Sequence, residues 1–282
     1  MNASLTHNSY GKHKVRVSKI KRGAADPSRH ELIEATVNIL LEGDLDEAYT
    51  KGENEKVVAT DTCKNTIYAI AKDDPFDTIE SFGVALAKHF LRQYSHLSQV
   101  RVEIRQHNWS RLLDCPHAFH GSDGETPTAE IRFVRDQPVE ISGGIDGLVI
   151  AKTTESGFAN FHRDEYRTLP DTDDRILATS VTAKWQFIDA NADFTAAKLA
   201  IRDAILRKFI DHYSKSVQQT LMLMGEAALE ACDVIDAITL TMPNKHHIQF
   251  NLKPFGRENN NDVFVVTDEP AGYIHATVSR DA

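Results

Sequence analysis

The chain has 282 residues, with 41 acidic against 32 basic side chains and a formal net charge of −9. Its hydrophobic content of 41% supports a sizeable core and excludes wholesale disorder, and the length fits one large domain or two ordinary ones. The acidic balance argues against nucleic acid as a partner, because phosphates need a basic face, and no run approaches the ~20 apolar residues of a membrane helix.

The one dense basic stretch, Lys12 to Arg22, is interrupted by apolar residues. Cys63, Cys115 and Cys232 are odd in number and lack CxxC spacing, which fits a reducing compartment. Met1 to Tyr10 is polar, so no secretory signal is expected there. A cytoplasmic protein is the resulting expectation.

Period-2 alternation predicts strands around Val15-Val17 and along Ile33-Ala35-Val37-Ile39-Leu41, with Gly23 to Arg29 as the turn between them. A helix is expected over Thr62 to Ala71. Asp74-Pro75 reads as the N-cap and first turn of a second helix, which carries Ile79, Phe82, Leu86 and Phe90 on one face. Val100-Val102-Ile104 and Ala129-Ile131-Phe133 supply two further strands around a polar loop from Gly121 to Pro127.

The second half repeats this order. Strands are expected at Leu148 to Ala151 and along Thr179-Val181-Ala183-Trp185-Phe187. A helical stripe follows through Phe194, Ala197, Ile201, Ile205 and Phe209. Ser216-Val217-Gln218-Gln219 has the form of a capping box and opens a helix through Leu221, Met224 and Ala228. The last strands are Ile235 to Leu240, Ile248-Phe250-Leu252 and Ile274-Ala276-Val278. Each half thus reads strand, strand, helix, helix, strand, strand, with no residue-level repeat evident. Grouped helices and alternating strands predict an α+β fold with helices on one sheet face. A sheet open at both edges is expected to associate or to close into a barrel.

The residues alone leave several candidate sites open. Cys115, His117 and His120 form a thin metal-ligand cluster or an ordinary surface loop. Gly143-Gly144-Ile145-Asp146-Gly147 is neither GxGxxG nor a P-loop and reads as a turn. Asp171, Asp173 and Asp174 lack the spacing of a calcium loop. Asn244-Lys245-His246-His247 sits at a strand junction, where a histidine is solvated or catalytic. Thr60-Asp61 and Val217-Gln218 stand at helix starts, as caps or as sources of free N–H groups for an anion.

Taken together, Tyr10-Gly11-Lys12, Leu40-Leu41-Glu42-Gly43, Val58-Ala59-Thr60-Asp61 and Lys64-Asn65-Thr66-Ile67-Tyr68 resemble the urate oxidase (uricase) family. Phe158, Arg163-Asp164-Glu165-Tyr166, Asp174-Arg175-Ile176-Leu177, Ser216-Val217-Gln218 and Pro243-Asn244-Lys245-His246 continue the resemblance in order along nearly the whole chain. It implies the tunnelling fold (T-fold): two tandem ββααββ units, here 1–137 and 138–282. Their antiparallel sheets would form a β-barrel on oligomerisation, with helices on the outer face. The implied activity is oxidation of urate by O₂ to 5-hydroxyisourate and hydrogen peroxide, without metal or organic cofactor. A homotetramer with active sites at subunit interfaces is implied too.

By the same resemblance, Arg175 and Gln218 would clamp the pyrimidine edge of urate, and Phe158 would stack on its face, with Phe161 the fallback. The Val217 N–H would donate, and Thr60 and Asp61 of a neighbouring chain would bind the five-membered-ring edge. Lys12, Thr60 and His246 would relay protons, and Asn244 would hold O₂ or water above the urate plane. The ending Ser279-Arg280-Asp281-Ala282 lacks a Ser-Lys-Leu-like peroxisomal signal, which fits a bacterial, cytoplasmic member. A zinc-dependent T-fold pterin enzyme and a non-catalytic purine-binding ring scaffold are the competing expectations.

Overall fold

The computed structural model describes residues 3–23 and 26–281, and the chain forms two compact units. One runs up to Gly144 and includes Gln186–Thr195; the other comprises Ile145–Trp185 and the chain from Ala196 onward. No helix among the described residues is long and apolar enough to cross a membrane.

In the first unit the elements are β1 (Tyr10–Arg22), β2 (His30–Gly43), α1 (Asp46–Thr50), α2 (Thr60–Asp73), α3 (Ile79–Gln93) and β3 (Leu97–His107). A short hairpin of β4 (Trp109–Arg111) and β5 (Phe119–Gly121) precedes β6 (Thr126–Val134). β1, β2, β3 and β6 pair antiparallel in that order. The alternating residues Val37, Ile39, Val102, Ile104 and Ile131 are buried from this sheet against Ile67, Phe82, Leu86 and Phe90 of the helices. Each fully buried large side chain of this kind stabilises by roughly 1.5–3 kcal/mol. Along the basic stretch of β1, Arg16 pairs with Glu34 and Lys21 with Asp77, while Lys19 donates to backbone carbonyls at the end of α2.

The turn expected from Gly23 to Arg29 is closed by a hydrogen bond from the Gly23 N–H to the Arg29 carbonyl, 3.2 Å. Ala24 and Ala25 within it lie outside the described residues. Asp74-Pro75 does not start α3. Asp74 ends α2, and its carboxylate accepts the Phe76 N–H at 2.7 Å. Phe76 then turns into the core at φ 54°, 1% exposed. The cap of α3 is Thr78, in a reciprocal box with Ser81.

The second unit is built from most of β7 (Glu140–Lys152), then β8 (Leu177–Phe187), α4 (Phe194–Ile210), α5 (Val217–Ala231), β9 (Ile235–Thr241), β10 (Asn244–Gln249), β11 (Phe264–Gly272) and β12 (His275–Ser279). β8 pairs with β9 and β9 with β12, and α5 packs against β9 and β12. Trp185, Ile201, Ile205, Met224, Ile238 and Leu240 are buried within it. The glycine run 143–147 is strand, part of β7, with only Gly147 at positive φ (79°). Small buried residues let it continue where a turn was expected. The strand expected at Ile248-Phe250-Leu252 ends at Gln249, and its partner β11 was not foreseen.

Candidate active site

A cavity of about 510 Å³ opens in the second unit, within the usual range of small-molecule sites. Phe158, Arg175, Val217, Gln218, Asn244 and His246 all line it. Four segments deliver them: the loop after β7, the lead into β8, the start of α5, and the start of β10. Asn244 pairs with Thr179 of β8, so Asn244 and His246 belong to a strand and not to a solvated turn.

Arg175 is the electrostatic centre of the cavity. Its N–H donates to the Ser156 carbonyl at 2.8 Å, but its buried Nε has no hydrogen-bond partner. Burial holds its pKa below the ordinary guanidinium range, yet a guanidinium stays charged at any physiological pH. The adjacent Asp174 does not neutralise it: its oxygens accept from Thr154 and Asn261, at 2.9 and 3.3 Å. Arg175 Cζ lies 5.4 Å from the centroid of Phe158. Phe161 stacks on Phe158 at 4.7 Å with an interplanar angle of 8°, and Arg167 Cζ lies 4.7 Å from the Phe161 ring. Phe158 therefore lines the cavity, while Phe161 supports it from behind.

The start of α5 adds uncharged donors. Ser216 is the N-cap, its Oγ accepting the Gln219 N–H at 3.1 Å. The reciprocal half of the expected box is absent, because Gln219 Oε1 accepts from the Lys215 N–H instead, at 2.9 Å. The N–H groups of Val217 and Gln218 precede the first intrahelical bond and point out of the helix end, where an anion is favoured. Asn244 Nδ2 lies 3.2 Å from His246 Nδ1. An amide nitrogen only donates, so Nδ1 accepts and a neutral His246 ring carries its proton on Nε2. The Asn244 Oδ1 is buried without a partner.

Lys12, Thr60 and Asp61 lie in the first unit. Tyr10 Oη accepts the Val58 N–H at 2.7 Å, tying the lead into α2 onto β1 beside Lys12. Burial pushes the Tyr10 hydroxyl up to about 12, so it stays protonated. Gly11 is required at this crossing, because a Cβ there would come within 1.8 Å of the Ile39 carbonyl oxygen. The N-cap of α2 is Ala59, which offers no side-chain cap, so Thr60 and Asp61 are the first helical residues. Their N–H groups are left free, and Thr60 is exposed. The Asp61 carboxyl is held below its usual range by the Lys64 hydrogen bond first, with a smaller contribution from Lys12.

A family model described as Uricase matches residues 8–139 and 141–275. The chain is 42% identical over 277 residues to a uricase from Arthrobacter globiformis, spanning 98% of this chain and 90% of that one. It is 37% identical over 284 residues to a uricase from Dictyostelium discoideum, spanning 99% and 98%.

The chain belongs to the uricase family.

It is, on that ground, an oxidoreductase acting on urate. The crystal structure of the Arthrobacter globiformis uricase superposes with a TM-score of 0.96 at 40% identity, covering 100% of this chain and 96% of that one. The T-fold expectation therefore holds for this uricase-family chain.

Two parts of the cavity wall were not foreseen from sequence. Asn261 reaches Asp174 from the loop after β10, beyond the strand expected at Ile248-Phe250-Leu252. Lys245 lines the cavity but pairs with Asp268 at 2.8 Å, which leaves Arg175 as the unpaired cation. Among the described residues no group of three or more His, Cys, Asp or Glu side chains gathers as a metal-ligand set. In the Cys115 loop, Sγ comes no nearer than 3.9 Å to His117 Nε2. Cys63 is fully buried beside Lys12, and burial pushes its thiol up to about 11. It is thus a protonated, unreactive core residue at neutral pH.

Proposed function

We propose that the chain oxidises urate with O₂ and water to 5-hydroxyisourate and hydrogen peroxide, without metal or organic cofactor. The observation that carries this reading is Arg175: a half-buried guanidinium lining a cavity, its Nε without a partner and the adjacent Asp174 engaged by Thr154 and Asn261. Urate is a planar anion near neutral pH. A guanidinium gives such an anion two parallel charge-assisted bonds. Gln218 both donates and accepts, and so matches an edge with C=O beside N–H.

The Phe158 ring supports the orientation. Phe161 covers one face, and the Arg175 guanidinium is offset by 5.4 Å from the ring centre. A ring bound edge-on to Arg175 would share the guanidinium's layer and stack on the rest of Phe158. The free Val217 N–H would donate to the same edge.

The proton chemistry would draw on residues of both units. Lys12, Thr60 and His246 would withdraw and return protons, making urate electron-rich enough to reduce triplet O₂. Asn244, with its unpartnered Oδ1, would hold O₂ or water over the urate plane. Thr60 and Asp61 would bind the five-membered ring through free N–H groups at the start of α2 and the Thr60 hydroxyl. We place Lys12, Thr60 and Asp61 of one chain against the cavity of another, in a homotetramer whose barrel is closed by the sheets of its subunits. A bacterial, cytoplasmic setting completes the proposal, with no nucleic acid or membrane as partner.

Metal-free protein mixed with urate in air should lose urate absorbance as hydrogen peroxide accumulates in equal amount. Binding without turnover would favour the purine-binding scaffold, and activity only after adding zinc would favour a pterin-type T-fold enzyme.

A further inference from the structure

Beneath the cavity of the second unit runs a polar network that the reaction itself does not use. Thr220 and Ser214 are 0% exposed, although both carry hydroxyls. The Thr220 and Ser214 hydroxyl oxygens are hydrogen-bonded at 2.7 Å, and Ser214 Oγ lies 3.1 Å from the Ser216 carbonyl. On the other side Thr220 Oγ1 lies 3.0 Å from His212 Nε2, and His212 Nδ1 lies 2.6 Å from the Lys208 carbonyl. The Lys152 ammonium donates to the His212 carbonyl at 2.6 Å. Burying two hydroxyls and an imidazole costs free energy unless their bonds are made, and here they are made with one another.

The backbone of Ser214 joins this network to the substrate groups. Its N–H donates to the Glu155 carbonyl at 2.9 Å, and its carbonyl accepts the Gly157 N–H at 2.8 Å. Ser156, bridged to Ser214, accepts the Arg175 N–H at 2.8 Å. Phe158 follows Gly157 directly, and Ser216 caps the helix that presents Val217 and Gln218. Three separate segments of the cavity therefore meet at one residue, and Thr220 fixes that residue to the body of α5.

We propose that the buried Thr220–Ser214 pair, backed by His212, is a positioning device that holds Phe158, Arg175 and Gln218 in register for the substrate. The proposal rests on the reading of this cavity as the urate site. The network tolerates either charge on His212. Lys208's carbonyl only accepts, so Nδ1 carries a proton. A neutral ring then accepts from Thr220 at Nε2 and the Ser214 hydroxyl turns toward Thr220, whereas a charged ring donates and both hydroxyls point on to Ser216. Burial favours the neutral ring.

The test is Thr220→Val in the full-length protein, which keeps the shape and removes the hydroxyl. Urate binding is measured without oxygen by calorimetry, and turnover in air. We expect Kd and KM to rise about tenfold, or roughly 1.4 kcal/mol, with kcat within about threefold of the parent. Thr220→Ser should restore both. A valine variant whose Kd stays within twofold of the parent, or a serine variant as weak as the valine one, overturns the proposal. Ser214→Ala is read by the same criterion should the valine variant not fold. Anaerobic binding reports on positioning even if the parent protein fails to oxidise urate in air, an outcome that would instead sink the functional reading.

Discussion

The two units share a frame and differ in the candidate site residues they carry. In the first, Arg135 donates to the carbonyls of Leu91, Tyr94 and Leu97, where α3 gives way to β3. In the second, Arg280 donates to Leu229, Cys232 and Ile235, where α5 gives way to β9. The spacing of three, then three, is the same. Thr78 caps α3 from Ser81 as Ser216 caps α5 from Gln219. Each opening strand carries a residue at positive φ, Lys14 in β1 and Gly147 in β7. The differences lie at the chemistry. After the caps stand Ile79-Glu80 in one unit and Val217-Gln218 in the other, and Glu80 is buried where Gln218 is exposed to the cavity. Two residues before the strand kinks stand Lys12 and Ile145, a cation in one unit and a buried apolar side chain in the other. On the proposed roles, the anion clamp lies in the second unit, while the proton relay draws Lys12 and Thr60 from the first unit and His246 from the second.

The sharpest way to break this division is to remove one member from each unit. Lys12→Met should lower kcat by about 10²–10⁴-fold, the range of general acid–base catalysis, while anaerobic urate binding stays within a few-fold. Thr60→Ala should follow the same pattern more weakly. Arg175→Ala should reverse it: Kd rises by about a hundredfold, because hydrogen bonds to charged groups contribute roughly 1.5–3 kcal/mol each. Steady-state kinetics paired with calorimetry separates the two cases. Equal losses of binding and turnover in both would end the assignment of separate roles.

The frame was legible in the sequence because burial on one sheet face imposes period 2, and Ile33 to Leu41 or Thr179 to Phe187 display it openly. β11 was not, since Phe264–Gly272 is exposed along most of its length and nothing enforces alternation. Asp74-Pro75 misled because aspartate caps turns as readily as helices; the deciding fact, Phe76 turned inward at positive φ, is tertiary. The order of elements already repeated in the sequence, but the residue-level match between units was hidden for a related reason. Its signature consists of backbone carbonyls around two arginines, and of the three matched positions only Leu91 and Leu229 are the same residue. At the site, the resemblance supplied the residues, and the geometry added why Arg175 is available and why Phe158, not Phe161, lines the cavity.

Smaller effects probe the frame itself. Arg135→Ala and Arg280→Ala should each destabilise by about 2–3 kcal/mol, since several part-buried carbonyls lose a charged donor at once. Urea denaturation measures both. Similar midpoint shifts would support the equivalence, and a large shift at only one would show that the copies have diverged in stability as well as in chemistry.

The smallest expected effect is the most discriminating. Thr78→Ala and Ser216→Ala each remove one N-cap and should each cost about 1 kcal/mol of stability. Their functional consequences should differ. The helix behind Thr78 presents Ile79 and a buried Glu80, so its fraying leaves the urate KM unchanged. The helix behind Ser216 presents the Val217 N–H and Gln218, so the same loosening should raise KM severalfold while kcat holds. If both variants lose the same stability and only Ser216→Ala loses affinity, one capping device performs a structural task in one copy and a substrate-orienting task in the other. If KM is untouched in both, the clamp is held by Arg175 and Phe158 alone, and the start of α5 has kept only its ancestral structural role.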